Sequence, residues 1–175
     1  PAIRRFLAAK ISDILIVPYA LGQELWFEAG EGPRLAPPLV DGLWNGLQGA
    51  PERFEAIYRT VAQVRAALDP QVTLLGFAGS PWTIATYMVA GQGSKDHHAA
   101  RALAWRDPGA FQSLISVIEE ATFGYLLGQI DAGAEAVQLF DSWAGSLSPR
   151  QFEHWVIAPN ARLVARLHAA RPGVP

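Results

Sequence analysis

Cysteine is absent from this 175-residue chain. Without a thiol, it can form neither a disulfide framework nor a thiolate-held metal site. Long hydrophobic runs are absent as well, and no stretch approaches the ~20 consecutive apolar residues a membrane helix needs. The N-terminal PAIRRFLAAK is too short and too mixed in character for a secretory signal. Basic charge is not in excess. Lys and Arg number 14 against 16 Asp and Glu, a formal net charge of −2, which gives no electrostatic footprint for nucleic acid. Charged residues make up only 17% and hydrophobic residues 50%, a balance that argues against disorder and for a packed core. Internal repeats and low-complexity tracts are also missing. These exclusions leave a cytoplasmic globular protein, or part of one. The chain starts on Pro rather than Met and closes on RPGVP, so it reads as a piece cut at both ends.

What remains is an alternation of two periodicities. Short apolar runs at Leu7–Val17, Val72–Ala78 and Ala136–Phe140, bounded by turn residues, predict buried strands. Between them lie helical stripes. Phe54, Ile57, Tyr58, Val61, Val64 and Leu68 form one, stopped by Asp69-Pro70. Phe111, Leu114, Ile115, Ile118, Thr122, Tyr125 and Leu126 form another, with Asp107-Pro108 as cap and first turn and Gly133 at its end. A short helix is expected from Ser80-Pro81, carrying Trp82 to Val89. Ser148-Pro149-Arg150-Gln151 is a capping box opening a further helix with Phe152, Trp155 and Val156 inward. Pro159 is expected to break or kink it before a second piece with Leu163, Val164 and Leu167. Strands alternating with helices imply an α/β fold with a parallel sheet, either a barrel or a doubly wound sheet. The Gly- and Pro-rich stretch from Tyr19 to Pro51 reads as a long irregular segment, and such segments are more often functional than idle.

In parallel α/β folds, ligands bind at the C-terminal ends of the strands. Three segments qualify: SDI at 12–14, GFAGSPW at 76–82 and FDSWAG at 140–145. Asp13 is a carboxylate in apolar surroundings, read either as a cap near a strand end or as a group held in a pocket. GFAGSPW is a strand-to-helix turn with Ser80 as N-cap; its free N–H groups could also receive an anion. It lacks the G-x-S-x-G order of a nucleophile elbow. Tyr87 reads as a core aromatic or as a group turned back toward the opening. Asp141 and Ser142 follow a strand, so one can face the pocket while the other braces the loop. No histidine placement ties to Ser142, so a catalytic triad is unsupported. AGQGSKDHH at 90–98 departs from the P-loop pattern, and adjacent histidines do not chelate from one helix face. It is expected to be a mobile surface loop.

Taken together, SDILIVPYALGQ (12–23), FEAGEGPRL (27–35), GFAGSPWTIATYMVAGQGSK (76–95), AGAEAVQLFDSWAGSLSP (132–149) and the closing PGVP (172–175) resemble the uroporphyrinogen decarboxylase family. The resemblance runs nearly end to end. It implies a partial (β/α)8 TIM-type barrel with parallel strands, residues 1–175 forming a single incomplete domain. The arginine-bearing segment that begins family members and their C-terminal histidine have no counterpart here. By the resemblance, Asp13, Tyr87 and Ser142 reach the substrate, with Asp141 and Trp143 as supports. The run RRFLAAKISD leading into Asp13 is shorter than in the family and carries Lys10 among its apolar positions, leaving that strand's register open.

The activity implied is removal of carbon dioxide from the four acetate side chains of uroporphyrinogen III, giving coproporphyrinogen III in haem biosynthesis. No cofactor and no metal are implied: a pyrrole protonated on a ring carbon becomes the electron sink that other decarboxylases borrow. Asp13 would be the catalytic group, accepting pyrrole N–H bonds and stabilising the cation. Tyr87 and Ser142 would hold carboxylates, and Phe77 and Trp82 would either line the macrocycle's face or pack the core. Family members are commonly homodimers. Two alternatives stand beside this: a corrinoid-linked methyltransferase on the same barrel, which would need zinc held by Cys and His, and an inactive tetrapyrrole-binding fragment with unpaired strand edges.

Overall fold

The computed structural model describes residues 16–28, 32–39, 44, 47 and 51–175. In chain order these form helix α1 (Ile16–Ala20), strands β1 (Glu24–Glu28) and β2 (Gly32–Ala36), and a 3-10 turn (Pro51–Phe54) running into helix α2 (Glu55–Ala67). Strand β3 (Leu75–Gly79), helices α3 (Pro81–Ala90), α4 (His98–Arg106) and α5 (Pro108–Asp131), and strand β4 (Ala136–Phe140) follow. The chain closes with helix α6 (Pro149–Phe152), a π turn (Glu153–Ile157) and helix α7 (Ala158–Ala170). No helix among the described residues is long and apolar enough to cross a membrane.

The parallel pair is the frame of the molecule. Leu75 lies opposite Ala136, and the register runs to Gly79 opposite Phe140. A parallel pair needs a crossover, and here it is three helices long. The longest of these, α5, starts where expected: the Asp107 carboxylate accepts the Ala110 N–H at 2.9 Å, and Pro108 occupies the first turn, where its missing N–H leaves no gap. Its predicted stripe is the centre of the core, with Phe111, Leu114, Ile115, Ile118, Thr122, Tyr125 and Leu126 all buried. Gly133 then reverses the chain at φ +112°, a conformation open to glycine. The α2 stripe is shallower: only Phe54 is buried, and Ile57, Tyr58, Val61, Val64 and Leu68 are half-covered.

Helix α5 also finishes one edge of the sheet. The Gln129 amide donates to the Phe77 carbonyl and accepts the Phe77 N–H, both at 3.0 Å, as a neighbouring strand would. Gly76 permits this approach, because a Cβ there would lie 2.9 Å from Gln129 Oε1 and 3.1 Å from Ala134 Cβ. On the outer edge of β4, Val137 N–H is taken by the Pro175 carbonyl at 3.0 Å.

Several expectations need correction. The strand placed at Leu7–Val17 does not include its C-terminal end: Ile16 and Val17 open helix α1, and residues 7–15 lie outside the described ones. Val17, Ala20 and Leu21 are buried at helical spacing, and a short apolar run does not by itself distinguish the two states. The second strand begins at Leu75 rather than Val72, whose N–H instead closes a turn onto the Asp69 carbonyl. The stretch read as irregular contains an antiparallel hairpin in which Leu25 faces Leu35. It docks on the chain after α3, where Leu35 N–H donates to the Gly91 carbonyl at 2.7 Å and Arg34 bridges to Gln92. The 90–98 segment is therefore anchored, with Gly91 and His97 buried, and the helix α4 that follows carries no strong periodic signal. At Ser148 the hydroxyl meets the Gln151 side chain at 3.3 Å and makes no capping bond to the backbone. Pro159 does not break the helix. The wider π turn directly before it lets the helical path continue past a residue with no N–H to give. Val164 is exposed rather than inward.

Candidate active site at the ends of the parallel strands

Both parallel strands end at the same level, and the polar groups that follow them are bonded to one another. Ser80 N–H donates to the Phe140 carbonyl at 2.8 Å, joining the two strand ends. Beyond β4, Asp141 turns inward to α3, and its Oδ1 accepts the Thr83 hydroxyl at 2.6 Å. Thr83 Oγ1 in turn faces the Trp143 N–H at 3.4 Å. The Trp143 carbonyl accepts three bonds, from Trp82 Nε1 at 3.2 Å, the Ser146 hydroxyl at 2.9 Å and the Ser146 N–H at 3.3 Å. Ser142 thus stands between two anchored residues and is itself exposed. Asp141 is thus turned toward α3, while Ser142 lies at the surface.

Burial pushes the Asp141 carboxyl above the usual carboxylate range, while the Thr83 and Asn160 side chains pull it back. Its second oxygen, Oδ2, is buried and meets no hydrogen-bond donor among the described residues. This carboxylate is a structural brace whose charge is only partly compensated.

Tyr87 sits on α3, half-buried, with its ring centroid 6.3 Å from that of Trp143. Burial raises the phenol's pKa, and a hydrogen bond from the Trp143 side chain opposes that shift. The structure therefore brings Tyr87 and the Ser142 segment together through Trp143. Asp13 lies outside the described residues. Of the two aromatics expected either at the macrocycle's face or in the core, Trp82 is fully buried and packs edge-on against Phe111 at 5.8 Å, so it belongs to the core. Phe77 is half-buried and meets Phe140 edge-on at 5.8 Å.

Two contributors to this site carry no distinctive sequence signal. Thr83 is one polar residue in an otherwise apolar helix turn. His97, in a segment read as a surface loop, packs its ring 4.7 Å from the Trp143 indole. An open groove of about 1130 Å3 lies elsewhere, between α4 and α6, with Arg101, Trp105, Arg150 and His154 among its walls. It contains none of Tyr87, Asp141 or Ser142.

Comparison with known proteins identifies the family. The family model for uroporphyrinogen decarboxylase (URO-D) matches residues 7–175. A uroporphyrinogen decarboxylase from Sphingopyxis alaskensis is 64% identical over 99% of this chain and 52% of its own length. Another, from Erythrobacter litoralis, is 66% identical over 97% of this chain and 51% of its own. The chain thus spans about half the length of the curated relatives it matches. Among solved structures, a methyltransferase from Methanosarcina mazei superposes with a TM-score of 0.70 at 15% identity, covering 88% of this chain and 46% of that one. At that identity the likeness carries the fold alone, an α/β partial barrel of parallel strands. With the family model matched across nearly the whole chain and curated relatives more than 60% identical along it, the chain belongs to the uroporphyrinogen decarboxylase family.

Proposed function

We propose that the protein containing this chain decarboxylates the four acetate side chains of uroporphyrinogen III to give coproporphyrinogen III. The observation that supports this best is the joining of Tyr87 to the FDSWAG segment through Trp143 at the ends of two parallel strands, in a chain of this family. In this reading Tyr87 and Ser142 bind substrate carboxylates, and orienting them lowers the entropic part of the barrier. Asp13 accepts the pyrrole N–H groups. Protonation of a pyrrole ring carbon gives a cation conjugated to the acetate. The electron pair of the breaking C–CO2 bond flows into that cation and neutralises it; a proton then added to the exocyclic carbon completes the methyl group, and loss of the proton first placed on the ring carbon restores the pyrrole. A fixed carboxylate in a poorly hydrated pocket stabilises the cation without reorganising. The chemistry needs no electron sink beyond the substrate itself.

The test is turnover of uroporphyrinogen III by the full-length protein, followed as coproporphyrin after oxidation. Asp13→Asn is expected to lower kcat by ~10²-fold, about 3 kcal/mol of barrier. Tyr87→Phe and Ser142→Ala are expected to raise KM more than they lower kcat. Normal turnover by the Asp13→Asn protein would remove Asp13 from the mechanism. The likeness to a methyltransferase rests on the fold and supports no second activity. The proposal extends to a cytoplasmic homodimer, for which light scattering at micromolar concentration is the direct check.

A further inference from the structure

We propose that His97 is a positioning residue for the Tyr87 hydroxyl, acting through the ring of Trp143. The reading rests on Tyr87 being a substrate-binding group, as above. Three observations carry it.

The first is the backbone. His97 has φ +51° and ψ +33°, and among the described residues no other non-glycine has positive φ. A side chain in this conformation is strained by about 1 kcal/mol, whereas glycine adopts it freely. A residue needed only to start α4 would be better as glycine or asparagine. The second is the ring. It is 5% exposed, although His97 belongs to a polar connecting segment, and its centroid lies 4.7 Å from the Trp143 indole at a 39° tilt. The third is what Trp143 can still do. Its backbone is fixed at both N–H and carbonyl, so only side-chain rotation remains to place the indole. The indole lies against Tyr87, their ring centroids 6.3 Å apart, and it lowers the phenol's pKa against the effect of burial. His97 and Tyr87 both pack against the indole, so removing the imidazole frees the rotation that sets the indole against Tyr87.

The same segment also passes Tyr87 directly, since a Cβ on Gly93 would lie 3.7 Å from its Cε1. Burial lowers the His97 pKa, with Asp96 opposing and Arg101 reinforcing the shift, so the ring is uncharged near neutral pH and packs as an aromatic plate. That explains why a phenyl ring should replace it and a flexible polar chain should not.

The experiment compares His97→Gly, His97→Asn and His97→Phe in the full-length protein. His97→Gly relieves the backbone while deleting the ring. It is expected to melt no lower than wild type, to raise KM about 10-fold and to leave kcat within about twofold, the pattern of lost ground-state positioning. His97→Asn, which also accepts left-handed backbone, is expected to behave alike and serves if the glycine variant fails to fold. His97→Phe is expected to hold KM within about twofold of wild type. A wild-type KM in both the glycine and asparagine variants overturns the proposal and leaves His97 as a helix boundary. A readout independent of the reaction uses 5-fluorotryptophan, with the Trp143 resonance assigned by its loss in Trp143→Phe. That line is expected to be single in wild type and His97→Phe, and broadened or split in His97→Gly. If wild type leaves uroporphyrinogen unchanged, the proposed activity fails, and an unaltered Trp143 line in His97→Gly would separately refute the positioning role.

Discussion

At the scale of single residues, Asp141 shows how the segment after β4 is held to α3 by one carboxyl. Its carboxyl accepts the Thr83 hydroxyl, and the same hydroxyl faces the Trp143 N–H. Thr83→Val keeps the shape and deletes the donor, leaving a buried carboxylate short of a partner. It is expected to lower stability by about 1–3 kcal/mol, seen as a lower urea midpoint at unchanged m. The pH dependence of Asp141 follows from burial raising its pKa. The folded state then holds the proton more tightly than the unfolded chain, whose carboxyl titrates near ~3.9. The stabilisation from that proton is fully present below about pH 4 and is lost as pH rises through the folded value. Asp141→Asn keeps an acceptor for Thr83 and has nothing to titrate. Its stability relative to wild type is therefore expected to improve as pH rises from about 4 and then level off. Denaturation curves at a series of pH values check this, and a difference that shrinks with rising pH would contradict it.

At the scale of elements, two glycines let parts of the chain approach that no side chain would. Gly76 admits Gln129, whose amide completes the free edge of β3 at Phe77. Gly76→Ala pushes the amide away and leaves both Phe77 backbone groups without it, an expected loss of about 1–3 kcal/mol. Gln129→Leu should show a similar loss, and the two changes combined less than their sum, because they break the same contact. Gly91, at φ +72°, has the Leu35 carbonyl 2.8 Å from where a Cβ would sit. Gly91→Ala is expected to loosen the β1–β2 hairpin from the chain after α3. Faster amide exchange at Leu35, with α5 unchanged, is the expected signature. The sequence showed the helical stripes because each recurs over several turns. It did not show the hairpin, because its strands are five residues each, Pro33 and Gly32 read as loop, and its inward pair is Leu25 and Leu35 alone.

At the scale of the molecule, α5 is the axis: the sheet packs on one side and α7 on another. The outer seam between α5 and α7 carries three arginines: Arg162 on Glu119, Arg166 on Glu120 and Arg171 on Asp131. They differ in environment. The Glu119 side chain is 10% exposed and receives both Nε and Nη2 of Arg162, whereas Glu120 is 71% exposed. Arg162→Ala would leave a nearly buried carboxylate alone and is expected to lower stability by about 1–2 kcal/mol, moderated by the arginine's own exposure. Arg166→Ala is expected to stay within about 0.5 kcal/mol, less at high salt. Equal effects in thermal melts would contradict this ordering. The parallel pair is covered on its helical side, while Leu75 and Phe140 remain 59% and 44% exposed.

The sequence by itself determined the parallel alternation of strands and helices, the buried stripe of α5 and its cap, and the place of Asp141 and Ser142 directly after a strand. Each is a local pattern, a period or a cap, and such patterns need no partner to be read. Only the tertiary structure decided that Ile16 and Val17 are helical, that Pro159 is passed by a π turn, and that Thr83, His97 and Tyr87 all meet Trp143. These depend on residues distant in the chain meeting in space. A threonine inside a helix or a histidine before one carries no sign of its neighbour until the chain has packed.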